Sequence, residues 1–145
     1  MSELPPLPRD QRKIDSDHLS LLSIFHFVGA GLALLGMVFL LAHYAMFHAI
    51  LDNPKMWENQ KGGPPPAELF AVFKWFYLII GAWFASSGVL NVISGVCLRT
   101  RKRRTFSMIV AGLNCIHVPL GTVLGVFTLV VLMRDSVRES YEASS

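Results

Sequence analysis

Five polar side chains interrupt otherwise apolar stretches: His26, Ser87, Asn91, Asn114 and His117. Imidazoles can exchange a proton or ligate a metal, and amides and hydroxyls can hold a hydrogen-bonded ligand. The basic run Arg99, Arg101, Lys102, Arg103 and Arg104 separates two apolar stretches. In a helical hairpin about that run, Asn91 and Asn114 fall at similar depth, ~10 to 14 Å inside the apolar layer. His26 is expected at a comparable level, while Ser87 and His117 extend the two faces toward the middle. The five therefore read as one buried cluster. As interhelical hydrogen-bond glue, such contacts average about 0.6 kcal/mol each. As a ligand site or proton path, the cluster would use ionisable groups that are functional candidates within a membrane.

Other chemistry is weaker. Bis-His haem needs two imidazoles at one height, and His26 and His117 differ by ~8 Å in expected depth. His43 and Met46 share a helix face, with His48 and Met56 close by, and thioether with imidazole suits Cu(I). Two neighbouring ligands make a thin motif. No HExxH, GxSxG, Walker loop, CxxC or paired-carboxylate pattern occurs, so no enzyme, metal centre or cofactor is expected.

The elements that must position these residues are membrane helices. The chain of 145 residues is 52% hydrophobic and only 16% charged. Its mean hydropathy is +0.46. Residues 19–51, 75–98 and 105–133 carry no Lys, Arg, Asp or Glu, and a bilayer core of ~30 Å needs about 20 apolar residues in a helix. The expected fold is all-α: a polytopic transmembrane bundle of three long helices, at about 17–50, 66–98 and 105–133. Ser16 or Asp17 would cap the first helix, and Pro65 or Pro66 would open the second. Phe70, Phe73, Trp75, Phe76 and Tyr77 form an interfacial aromatic belt beside Lys74.

Pro119 should kink the third helix by removing one backbone donor. A re-entrant pair of half-helices is the alternative. The kinked single span is preferred, because its 29 residues are too few for two crossings of ~20 each. Residues 1–17 read as a flexible tail and 134–145 as a polar tail around a bundle at 18–133. The first apolar stretch, at 33 residues, exceeds a signal peptide's apolar region of roughly 7 to 15 and is expected to remain as a signal anchor. Cys97 and Cys115 lie within apolar stretches, as buried thiols do.

Small residues mark where helices approach closely in lipid. Gly81, Ala85, Gly88 and Gly95 form a seam on the second helix, Gly29 and Ala33 one on the first, and Gly121 and Gly125 one on the third. Basic residues set orientation. With the N-terminus inside, Arg9, Arg12, Lys13 and the five of the 99–104 run make eight inner charges, against four outer ones, Lys55, Lys61, Arg134 and Arg138, or five with Lys74. The positive-inside rule puts the N-terminus in the cytoplasm and the C-terminus outside. A re-entrant third segment would return the C-terminus to the cytoplasm. The same placement of basic residues at a helix boundary argues against nucleic acid as a partner.

The segment PLGTVLGVFTLVVL at 119–132, the AGLNC before it at 111–115, and the early HLSLLSIFH at 18–26 resemble a group of small, uncharacterised bacterial multi-pass membrane proteins. That resemblance implies a bacterial inner membrane and brings no activity, substrate or cofactor. Taken together, the sequence reads as a non-enzymatic small membrane protein, an accessory or structural subunit contacting lipid and other membrane subunits or copies of itself. A homo-oligomeric conductor of ions or small molecules is the second reading, and a haem- or copper-binding electron-transfer subunit the third.

Overall fold

A computed structural model describes residues 9–58, 63, 66–117 and 119–142. The described residues form α1 (Arg9–Leu51), a 3-10 turn (Pro54–Met56), α2 (Ala67–Thr100), α3 (Arg104–Asn114), α4 (Leu120–Leu132) and α5 (Asp135–Glu142), with no strand among them. Two helices are long and apolar enough to cross a membrane, α1 over Gln11–Leu51 and α2 over Glu68–Thr100. The number rises to three if α4 and α5, bent by 72° to one another, count as one span. Large apolar side chains such as Leu34, Phe39, Val72 and Ile79 are exposed, as suits helices whose solvent is lipid.

The expected third long helix is corrected. Residues 104–132 fold back on themselves as an antiparallel helical hairpin. Arg104 Nε donates to Leu132 O at 2.8 Å, so the start of α3 meets the end of α4. At Gly125 an added Cβ would run into the Ala111 carbonyl oxygen and lie 2.6 Å from Cys115 Sγ. At Gly121 it would strike His117 and the Asn114 carbonyl. The GxxxG pair therefore lets α4 lie directly on α3 rather than on a separate span.

The reversal follows from its residues. Pro119 has no N–H to continue a helix through this segment. His117 N donates to Asn114 O at 2.9 Å, and Gly121 N to His117 O at 2.8 Å. Thr122 Oγ1 donates to Cys115 O at 2.8 Å, satisfying a carbonyl left at the turn. At ~1.5 Å per residue, α3 and α4 are ~16 and ~20 Å long, each short of a ~30 Å crossing. Residues 105–133 are too few for two full crossings, yet they are enough for two half-depth helices.

The link between α2 and α3 is equally tight. Lys102 N donates to Cys97 O at 3.0 Å and Arg101 N to Leu98 O at 3.4 Å, the bonding pattern of a Schellman close. Arg101 and Arg103 take φ of 51° and 52°, in the left-handed region that favours glycine. Each costs on the order of 1–2 kcal/mol, which the surrounding structure must offset.

The helix ends also differ from expectation. Neither Ser16 nor Asp17 caps α1, because helix already begins at Arg9; residues 1–8 lie outside the described ones. Asp15 gives the reason. Its buried carboxylate accepts from Ser136 Oγ at 2.6 Å, Arg134 Nη1 at 3.3 Å and Gln11 Nε2 at 3.2 Å, so the first turns of α1 are tied to the chain after α4. The C-terminal segment, expected as a polar tail, forms the amphipathic α5. It buries Val137 and Tyr141, one turn apart, and exposes Arg138, Glu139 and Glu142. Residues 143–145 lie outside the described ones. Helix α2 opens at Ala67, directly after Pro66, and ends at Thr100 rather than Leu98.

By internal contacts the chain divides into two compact units, Met1–Ala30 with Val89–Ser145 and Gly31–Gly88. The core of the first is Leu19, Leu22, Leu98, Val131, Leu132, Val137 and Tyr141, with Met108 and Leu124 packed against it. In the second, Gly36 takes the Phe84 ring, and Gly81 faces Leu40 and Met37.

Candidate functional site: a buried polar cluster

The first unit brings three of the five expected polar residues together. Asn91 and Asn114 pair as reciprocal amides. Asn114 Nδ2 donates to Asn91 Oδ1 at 2.8 Å and Asn91 Nδ2 to Asn114 Oδ1 at 3.1 Å. His26 Nδ1 lies 2.8 Å from the same Asn91 Oδ1. A carbonyl oxygen only accepts, so His26 carries its proton on Nδ1 and Asn91 Oδ1 receives two donors. His26 is fully buried, and Asn91 and Asn114 are nearly so.

The fourth member is Thr128, which sequence reasoning did not identify. Its Oγ1 lies 3.4 Å from His26 Nε2 and donates to Leu124 O at 2.7 Å, and the residue is fully buried. In a single straight helix Thr128 would stand ~21 Å along the axis from Asn114. Only the reversal at 115–119 brings both to His26. A signal was present in the polar hydroxyl on a charge-free stretch, but its depth depended on the path of the chain.

Ser87 and His117 are placed by other features of the chain. Ser87 belongs to the second unit. His117 forms the α3–α4 turn through its backbone, accepting from Gly121 N and from Thr122 N at 3.2 Å. A further polar contact fastens the first unit: Ser23 Oγ donates to Gly95 O at 2.8 Å. Gly95 is needed there because a Cβ would lie 3.2 Å from Ser23 O and 3.0 Å from the Phe27 ring. Ser94 and Ser107 are fully buried, with hydroxyls that have no hydrogen-bond partner among the described residues.

The remaining seam residues divide. Gly29 admits Asn91, whose Oδ1 would be 3.6 Å from a Cβ there, and Ala33 is buried. Gly88 is half-buried and Ala85 is exposed. A seven-residue spacing tracks a left-handed crossing, and Gly36 against Phe84 instead supplies the close approach in the second unit.

The residues considered for copper have other partners or are exposed. His43 Nδ1 lies 2.6 Å from Tyr77 Oη, and His48 Nδ1 2.7 Å from Asp52 Oδ2. Met46 and Met56 are exposed. Among the described residues no three of His, Cys, Asp and Glu gather as a metal-binding group. Cys97 and Cys115 are free thiols, the first buried and the second half-buried.

No protein-family model, curated protein or solved structure matches this chain.

Proposed function

We propose that this chain is a non-enzymatic integral membrane subunit whose polar interior serves assembly of its own helices. The observation that carries this reading is the buried His26–Asn91–Asn114–Thr128 contact set. Its two amides pair reciprocally, and His26 and Thr128 meet them from two further helices, where an unpaired amide in hydrocarbon would cost several kcal/mol, by ~2–7 on transfer scales. A conducting path would need polar groups that exchange partners with water or a solute. Both His26 ring nitrogens face protein oxygens, which weakens haem ligation through that residue.

In this reading α1 and α2 span the bacterial inner membrane, with the N-terminus in the cytoplasm, and α3–α4 dips into the bilayer from the cytoplasmic side and returns. The Asp15–Arg134 pair supports it by tying the start of α1 to the chain after α4. The charge distribution supports it as well. Ten basic residues then lie inside, with Arg134 and Arg138 joining the earlier eight, against Lys55, Lys61 and Lys74 outside. The bacterial setting rests on the resemblance of residues 18–26 and 111–132 to small bacterial membrane proteins. Partners are lipid and either a larger membrane complex or further copies of the chain.

Native mass spectrometry of the protein extracted in mild detergent from its own membranes tests the role. A hetero-complex is the expected result and identifies the process through its partner. A bare monomer or homo-oligomer overturns the accessory-subunit reading.

A further inference from the structure

The second unit holds a cavity of about 430 Å³ between the end of α1 and the beginning of α2. Its walls are Tyr44 and Phe47 on one helix and Phe73 and Tyr77 on the other, with Asp52 and Lys74 among the lining groups. The rings brace each other in pairs: Tyr44 meets Tyr77 edge-on at 5.1 Å, and Phe47 meets Phe73 at the same centroid distance. His43 Nδ1, 2.6 Å from Tyr77 Oη, holds that phenol in place. The cavity is thus an aromatic-walled recess lined by the Lys74 ammonium and by the Asp52 carboxylate, which the His48 imidazole meets at 2.7 Å.

Its depth indicates what surrounds it. Twenty residues of helix from Leu19 end near Val38, so Tyr44 stands ~9 Å farther along, at or just beyond the hydrocarbon boundary. On α2 the charge-free stretch begins at Trp75, immediately after Lys74. The recess therefore lies where lipid headgroups lie.

We infer that this recess binds the headgroup of a zwitterionic phospholipid, with its phosphodiester at Lys74 and its ammonium against the aromatic faces and Asp52. Aromatic rings attract a cation through their negative faces, most strongly where water is displaced. Lys74 supplies the point charge that a phosphate needs. An anionic headgroup with no amine would satisfy Lys74 and bring a second negative charge to Asp52, whose partner among the described residues is the His48 imidazole. A free cation would have the reverse defect. The lining thus selects a headgroup carrying both signs, whose acyl chains continue into the lipid beside the exposed faces of α1 and α2. The inference rests on α1 and α2 spanning a bilayer and is independent of the subunit role.

The test is reconstitution of the full chain into discs of equal phosphatidylethanolamine and phosphatidylglycerol, then native mass spectrometry of the lipid retained after release. Wild type is expected to keep one phosphatidylethanolamine in preference to phosphatidylglycerol. Lys74→Gln and Asp52→Asn are each expected to lower that retention about tenfold, equivalent to about 1.4 kcal/mol. Both side chains are exposed, Asp52→Asn alters only the surface contact with His48, and an unchanged thermal midpoint verifies that packing is kept. Equal retention of the two lipids, or wild-type retention by either variant, overturns the proposal. So does equally tight binding of soluble glycerophosphoethanolamine, which would mark a site for a free solute. Failure to enter discs at all would instead overturn the spanning reading.

Discussion

Arg104 Nε donates to the carbonyl oxygen of Leu132 at 2.8 Å, joining the first residue of α3 to the last of α4. The bond serves two ends at once. It satisfies one carbonyl that α4 leaves without an intrahelical partner, and it places a cation at the negative end of that helix. It also requires that the chain enter and leave this segment at one level, which determines where everything after Leu132 must lie.

The first prediction concerns that level. In a Cys97→Ala, Cys115→Ala background, Glu58→Cys is expected to react with a membrane-impermeant maleimide added to intact cells. Glu139→Cys should react only after permeabilisation. Labelling of Glu139→Cys in intact cells would mean that residues 104–132 cross the bilayer.

The hairpin contact itself is tested with two glycines of one sequence neighbourhood. A Cβ at Gly125 meets backbone carbonyl oxygen of Ala111, which cannot swing aside, whereas a Cβ at Gly112 meets nothing within 4 Å. Gly125→Ala is therefore expected to destabilise by about 1–3 kcal/mol as α4 is pushed off α3. Gly112→Ala should be neutral or stabilising by up to about 1 kcal/mol through helix propensity. Thermal midpoints in detergent rank the two, and equal midpoints would be incompatible with the close approach of α3 and α4.

The amide pair yields a coupling measurement. Asn91→Ala removes both reciprocal bonds and the acceptor for His26, while Asn114→Ala leaves the Asn91–His26 bond. Asn91→Ala should be the costlier, each falling within roughly 1–3 kcal/mol for an orphaned buried group. The double variant should be less destabilised than the sum, with a coupling of about 0.5–2 kcal/mol. Strict additivity in reversible unfolding would show that the two side chains do not interact.

Tyr141 predicts an alkaline limit for α5. Burial, and then the neighbouring Cys97 thiol, push its phenol up to about 12, against opposing pulls from Arg101 and Arg104. An unfolded tyrosine ionises near 10, so the unfolded state loses its proton first as pH rises. The stability from burying the neutral phenol is complete below pH 10 and is lost between 10 and about 12, by on the order of 2 kcal/mol. The phenolate absorbance difference between wild type and Tyr141→Phe should titrate near 12, and the variant should lack this part of the alkaline unfolding. A midpoint near 10 would place Tyr141 in water.

Much of the architecture is legible in the order of residues alone, because lipid imposes a one-dimensional rule. Charge-free stretches of 33 and 24 residues leave helix as the only form that pairs every backbone group internally, and α1 and α2 follow. The basic residues 99–104 end α2, and the register of Asn91 against Asn114 follows from two helices joined by so short a link. His26 reaches the same level by its distance along α1. These are properties of length, spacing and polarity, which the sequence carries locally.

The path of residues 104–132 is not local. Pro119 interrupts a helix whether the chain kinks or reverses, and the choice depends on what each half can pack against. Gly121 and Gly125 open a backbone-to-backbone contact with α3, Arg104 closes its far end, and Asp15 with Ser136 and Arg134 anchors the chain beyond Leu132. Those partners lie up to 121 residues apart in the chain. The same reversal brought Thr128 to His26 and turned a polar tail into a docked helix. Sequence by itself determined that the charge-free stretches must be helical and that Asn91 and Asn114 fall in register; tertiary structure alone decided where the chain reverses and which polar residues are buried together, because close packing depends on the path of the chain.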